Sequence, residues 1–113
     1  MISIYHNPRC SKSREGLAIL EDEKANFQVI KYMDKLLSVE ELKVIILLLK
    51  IKPIELVRIN ESIWKENFKN LGLSEDDIIS VMAKHPQLIE RPIVINGDKA
   101  VIGRPPQKIL DVL

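Results

Sequence analysis

Apolar and polar residues alternate over residues 2–6, and this two-residue period predicts a first strand. Leu17 and Leu20 then lie at helical spacing within residues 11–24, which predicts an amphipathic helix. Residues 27–32 predict a second strand. Because a strand, a helix and a strand follow one another so closely, we expect a parallel strand pair joined by a right-handed crossover.

The middle of the chain has helical signals only, and we expect a helical insertion at about residues 36–86. Two capping boxes open helices in this segment, Ser38 with Glu41 and Ser74 with Asp77. Pro53 suits the first turn of a short helix. The predicted helices run from the first capping box to about residue 50, then over 53–58, 61–71 and 75–84.

Strand signals return in the last quarter of the chain. Residues 92–95 and 99–103 predict two strands, and Asn96-Gly97-Asp98 between them predicts a hairpin turn. Residues 105–113 predict a last helix. The order βαβ, helical block, ββα predicts an α/β fold with a mixed sheet, and we expect residues 1–113 to form a single domain.

Composition excludes several classes of function. The chain has 113 residues, 46% hydrophobic and 29% charged, with a net charge of +1, so we expect no nucleic acid or anionic membrane as partner. The most apolar run, residues 44–49, is far shorter than the roughly 20 residues of a membrane-spanning helix. No signal-peptide pattern is present, and a single cysteine cannot form an internal disulfide. We therefore expect a cytoplasmic protein, and its size fits a monomer.

Cys10 is the only cysteine, and the turn after the first strand places it at the start of the first helix. Arg9, Lys12 and Arg14 are its basic neighbours in sequence. Free N–H groups and the positive end of the helix dipole favour an anion at such a position, so we expect the pKa of the thiol to fall. Free cysteines are also often small buried apolar residues. A reactive thiolate and a structural cysteine are therefore both open interpretations.

Two familiar cysteine motifs do not fit this sequence. The Cys-x5-Arg loop of tyrosine phosphatases needs an arginine six positions after the cysteine, where this chain has Gly16. The dithiol motif Cys-x-x-Cys needs a second cysteine at position 13, which is Ser13. If the chemistry of Cys10 passes through a disulfide, the second sulfur must therefore come from another molecule.

Three arginines lie at the ends of predicted elements. Arg58 ends a short apolar helix, Arg91 directly precedes Pro92, and Arg104 follows the last predicted strand. A single arginine is usually a solvated surface residue, but strand ends in α/β sheets collect ligand-binding groups. Guanidinium groups bind tetrahedral oxyanions bidentately, so these arginines could form an oxyanion receptor beside a thiolate. Pro92 is a candidate for a cis peptide bond.

His6 closes the first predicted strand, four positions before Cys10. It is either a half-buried residue at a strand end or a hydrogen-bond partner that tunes the thiol. Two histidines and one cysteine do not have zinc-site spacing, so we expect no metal. Four glycines in the whole chain do not form a phosphate-binding loop.

Four motifs occur in register along the chain: HNPRCSKSR at 6–14, LVR at 56–58, ERPIV at 90–94 and GRP at 103–105. In order and spacing they resemble the ArsC family of glutaredoxin-linked arsenate reductases, over nearly the whole chain. The resemblance implies a thioredoxin-like fold with a helical insertion between its two halves. It also implies a cis bond between Arg91 and Pro92.

The resemblance further implies a mechanism. Cys10 would be the catalytic nucleophile, with His6 close to its thiol, and the oxyanion site would consist of Arg58, Arg91 and Arg104. We expect the N-terminus of the first helix to complete this site, mainly with backbone N–H groups, through Ser11, Lys12, Ser13 and Arg14. In the family, the cysteine attacks the arsenic oxyanion, glutathione joins as co-substrate, arsenic is reduced to arsenite, and glutaredoxin resolves the mixed disulfide. No bound cofactor is implied.

One difference from the family leaves other functions open. The best-known members have a Gly-Thr pair after the cysteine, where this chain has Ser11-Lys12. Two alternatives are a thiol-exchange enzyme acting on glutathionylated proteins and a non-catalytic module that binds a protein partner. Redox-sensing regulators of a related branch use Cys-x-x-Cys, and Ser13 argues against that switch.

Overall fold

The computed structural model describes every residue from Met1 to Leu113. Its four strands are β1 (Ile2–Tyr5), β2 (Phe27–Ile30), β3 (Ile93–Asn96) and β4 (Lys99–Ile102). They form one mixed sheet in the order β2-β1-β3-β4, in which β1 pairs parallel with β2 and antiparallel with β3. The hairpin of β3 and β4 is antiparallel. This is the α/β arrangement of a thioredoxin-like fold, which confirms the fold expected from the sequence.

The sheet belongs to the first of two units, which comprises residues 1–35 and 91–113. Helix α1 (Ser11–Asp22) provides the crossover between β1 and β2. The predicted last helix is present as Pro106–Val112, and it is a 3₁₀ helix, the tighter form with i to i+3 hydrogen bonds. The core of this unit joins sheet, α1 and the 3₁₀ helix through Ile4, Leu20, Val94, Ile109 and Val112.

Two glycines allow the two halves of this unit to approach closely around Pro92. A Cβ atom on Gly16 of α1 would lie 2.8 Å from Cγ of Pro92, and one on Gly103 would lie 2.9 Å from the same atom. Real Cβ atoms do not make contacts this short, so both positions require glycine's lack of a side chain. The close packing brings the segments around Pro92 and Gly103 against α1.

Residues 36–90 form the second unit, which extends to Glu90, past the expected end of the helical insertion at residue 86. Both capping boxes are present, at Ser38 and Ser74. Residues Pro53–Leu56 and Pro86–Leu88 form 3₁₀ helices. The helices are α2 (Val39–Leu49), α3 (Ser62–Asn67), which is shorter than predicted, and α4 (Glu75–Lys84). That both units act as the single domain expected from the sequence stays a prediction.

None of the helices combines the length and the apolar character needed to cross a membrane.

Candidate active site

The turn between β1 and α1 fixes the position of Cys10. The backbone N–H of Cys10 donates to the carbonyl of Asn7 over 3.0 Å, and the backbone N–H of Arg9 donates to Oδ1 of Asn7 over 3.1 Å. Cys10 is the N-cap residue of α1, with extended backbone angles, and its side chain is partly buried. The thiol therefore lies where the first N–H groups of the helix have no helical carbonyl to bind.

These surroundings lower the pKa of the Cys10 thiol. Burial on its own would raise the pKa, but hydrogen bonds to the sulfur outweigh it. Their donors are the backbone N–H of Ser13, the guanidinium of Arg91, whose charge adds to the effect, and the backbone N–H of Lys12. A thiol with a lowered pKa has a larger thiolate fraction at neutral pH, and the thiolate is the nucleophilic form.

Arg91 and Arg104 lie at the end of the sheet where β1 ends, since Tyr5 pairs with Ile93 and Ile93 pairs with Ile102. Arg91 is buried and lies two residues before β3, and Arg104 lies two residues after β4. Nε of Arg104 donates to the carbonyl of Arg91 over 2.8 Å, and its Nη2 lies 3.6 Å from Sγ of Cys10. The peptide bonds Arg91–Pro92 and Arg104–Pro105 are both cis. Two guanidinium groups thus accompany one sulfur, an arrangement that attracts oxyanions.

His6 and Ser13 hold the turn through buried hydrogen bonds. Both are buried, and Nδ1 of His6 shares a 2.7 Å hydrogen bond with Oγ of Ser13, which also accepts the backbone N–H of Asn7 over 3.0 Å. Burial and the charges of Lys31 and Arg14 lower the pKa of His6, although a hydrogen bond with Ser13 opposes them. The lowered pKa favours the neutral form of His6, which holds the turn through its hydrogen bond with Ser13.

The other predicted site residues of α1 are Ser11, Lys12 and Arg14, and the side chains of Lys12 and Arg14 make contacts other than with the Cys10 sulfur. Ser11 is exposed at the first helical position, and the side chain of Lys12 forms an exposed ion pair with Glu15 at 3.4 Å. Nη1 of Arg14 donates to the carbonyl of Pro8 over 2.9 Å, so this side chain braces the turn. Lys12 contributes its backbone N–H to the thiol, whereas its ammonium group is engaged with Glu15.

Arg58 lies in the second unit, between two carboxylates. Its Nη1 is 2.9 Å from Glu61 and its Nε is 3.6 Å from Glu90. Its backbone N–H donates to the carbonyl of Leu88 over 2.7 Å. These contacts orient the guanidinium group within that unit, and a role for Arg58 in the oxyanion site stays a prediction.

Three residues that shape the site region were not predicted from the sequence. Asn7 shapes the turn with both its side chain and its backbone, and Gly16 and Gly103 permit the close packing on Pro92. The Asn-Pro pair after a strand is a turn signal that could have identified Asn7. No group of three or more potential ligands among His, Cys, Asp and Glu is arranged to hold a metal ion.

The fold and the site together define a class: a thioredoxin-like protein with one activated thiol at a helix N-terminus, accompanied by arginines. Comparisons with known proteins agree with this class. Residues 5–112 match the model of the ArsC family. The chain is 46% identical to the arsenate reductase of Haemophilus influenzae (strain ATCC 51907 / DSM 11121 / KW20 / Rd), over 99% of this chain and 98% of that protein. It is 40% identical to the uncharacterized protein YfgD of Escherichia coli (strain K12), over 99% and 96%.

A solved structure is similarly close. The arsenate reductase from Vibrio cholerae superposes with a TM-score of 0.94 at 46% sequence identity, covering 99% of this chain and 97% of that one. The chain belongs to the ArsC family, as its four motifs suggested.

Proposed function

We propose that this protein reduces arsenate, or a tetrahedral oxyanion like it, through a covalent intermediate on Cys10. The observation that carries the proposal is the sulfur with a lowered pKa, placed beside Arg91 and Arg104. The arsenate reductases among its relatives support arsenate as the substrate.

In the first step, the guanidinium groups and the N–H groups of α1 bind the oxyanion and neutralise its charge. The thiolate of Cys10 attacks arsenic, a sulfur–arsenic bond forms, and one arsenic–oxygen bond breaks. The departing oxygen takes up protons and leaves as water. Arsenic remains pentavalent in this adduct, so the step is a substitution and no electrons are transferred.

Reduction needs a second thiol, which we propose is glutathione. Its sulfur attacks Sγ of Cys10, a disulfide forms, and the sulfur–arsenic bond breaks with its electron pair going to arsenic. The thiol proton passes to the arsenite product. Two sulfurs are thereby oxidised and arsenic is reduced by two electrons. A glutaredoxin thiol then attacks the glutathione sulfur and releases Cys10.

The remaining features of the proposal follow from the single cysteine. Because Cys10 has no partner in its own chain, regeneration depends on external thiols, which a reducing cytoplasm supplies. We propose that Arg58 joins Arg91 and Arg104 on the oxyanion. The protein then acts as a monomer, with glutathione and glutaredoxin as its partners and no bound cofactor.

A coupled assay tests the proposal. Arsenate reduction is followed in the presence of glutathione, glutaredoxin and glutathione reductase, as loss of NADPH. Cys10→Ser should abolish turnover, and Arg91→Ala should lower kcat/KM at least tenfold, since one well-placed donor typically contributes that much or more. Lys99→Ala, an exposed residue at the far end of the sheet, is the matched control. Turnover by the serine variant would contradict the mechanism.

A second candidate function is thiol exchange on glutathionylated proteins, and the partial exposure of Cys10 favours it. This reaction needs the thiolate but no oxyanion site. Substitution of Arg91 would then leave arsenate-independent exchange unaffected apart from the change in the pKa of the thiol. The same variants, assayed with a glutathionylated peptide, distinguish the two functions.

A further inference from the structure

A cavity lies next to the turn that carries Cys10, within the first unit. Its volume is about 300 Å³, at the lower end of the range for small-ligand sites. The turn and the segment that follows β2 form its wall, and its lining residues are Asn7, Pro8, Arg9, Lys31, Met33 and Asp34.

The sheet order places this cavity on the opposite side of β1 from the two arginines. Tyr5, the last residue of β1, pairs with Ile30 of β2 on one side and with Ile93 of β3 on the other. Arg91 lies two residues before β3, whereas the cavity opens beside the residues that follow Ile30. A second ligand can therefore approach the turn without displacing an oxyanion from the arginines.

The charges that line the cavity form a specific pattern. Arg9 and Lys31 are exposed cations, and Asp34 is an exposed anion. Lys31 is close enough to the turn for its charge to act on His6. Two cations and one anion complement a γ-glutamyl peptide thiol such as glutathione, which carries two carboxylates and one ammonium group.

We propose that this cavity is the binding site for the peptide part of the thiol co-substrate. The two carboxylates of glutathione pair with Arg9 and Lys31, its ammonium group pairs with Asp34, and its sulfur is directed toward Cys10. The inference rests on the proposed use of a glutathione-type thiol, and it assigns to Arg9 and Lys31 a role in binding that thiol.

The site can be tested with a reaction that needs no oxyanion. The thiolate of Cys10 attacks one sulfur of oxidised glutathione, the disulfide bond breaks, and one glutathione leaves as the thiolate. The product is a mixed disulfide between Cys10 and glutathione, which mass spectrometry detects. Bis(2-hydroxyethyl) disulfide undergoes the same exchange but has no charged groups.

The measured quantity is the ratio of the two exchange rates, oxidised glutathione over the uncharged disulfide. The ratio removes any effect of a substitution on the thiol itself. Arg9→Ala and Lys31→Ala should each lower the ratio about two- to fivefold, the range for exposed ion pairs. Lys99→Ala, the matched control, should leave it unchanged. High salt should reduce the difference between the variants and the original protein, since it screens exposed charges.

Two results would overturn the proposal. If neither rate changes in Arg9→Ala and Lys31→Ala, the cavity does not bind glutathione. If both rates fall by the same factor, the two cations act only on the thiol. If the ratio falls in Arg9→Ala and Lys31→Ala but the original protein does not reduce arsenate, the cavity is still supported as a glutathione site and the oxyanion chemistry is rejected. The two proposals can therefore fail independently.

Discussion

Removing the hydroxyl group of Ser13 should destabilise the whole turn that carries Cys10. Oγ of Ser13 is buried and has two buried partners, Nδ1 of His6 at 2.7 Å and the backbone N–H of Asn7 at 3.0 Å. Ser13→Ala leaves both partners without this oxygen. An unsatisfied buried polar group costs about 1–3 kcal/mol, so we expect a loss of about 2–4 kcal/mol in the free energy of unfolding.

Urea unfolding followed by circular dichroism measures this loss, and Ser11→Ala is the matched control. Ser11 is exposed and lies two residues before Ser13 on the same helix, so its substitution should change the stability by less than about 0.5 kcal/mol. The pKa of the Cys10 thiol should change as well, because the backbone N–H of Ser13 donates to the sulfur. If Ser13→Ala is as stable as Ser11→Ala, the hydroxyl does not hold the turn and this reasoning is wrong.

Three further predictions concern packing, pH and helix termination. Gly16→Ala should destabilise the protein by about 1–3 kcal/mol in urea unfolding, because its Cβ would lie 2.8 Å from Pro92; unchanged stability would contradict the close packing. The pKa of His6 is lowered from 6.5 in the folded protein, so the unfolded chain binds a proton on this residue more readily. The stability that His6 contributes is therefore complete above pH 6.5 and declines below it. His6→Asn should reduce this decline in the free energy of unfolding at low pH. Lys50 ends α2 with φ of 58°, so Lys50→Gly should raise the melting temperature, whereas Lys43→Gly within α2 should lower it.

Local signals explain why much of the fold could be predicted from the sequence. The capping boxes at Ser38 and Ser74 and the turn at Gly97 depend on residues a few positions apart, so the sequence displays them directly. The last helix was harder, because Pro105-Pro106 is compatible with the start of either an α-helix or a 3₁₀ helix. The structure has the 3₁₀ form.

The site was predictable where it depends on chain order and hidden where it depends on distant contacts. The position of Cys10 after a strand and before a helix is visible in the sequence. The pairing of Arg58 with Glu90 and the bond from Arg104 to the carbonyl of Arg91 join residues far apart in the chain. No spacing rule reports such pairs. The positions of Arg91 and Arg104 at strand ends and the resemblance to a family both pointed to these two residues, but their contact with each other is visible only in the structure.

The acid dissociation of the Cys10 thiol tests the central claim most directly. The rate of alkylation by iodoacetamide, measured across pH, gives the pKa of this single thiol without interference from another cysteine. We expect a pKa below the ordinary value of about 8.5, and a higher pKa in Arg91→Ala than in the original protein. A pKa at or above the ordinary value, unchanged by the loss of Arg91, would contradict the account.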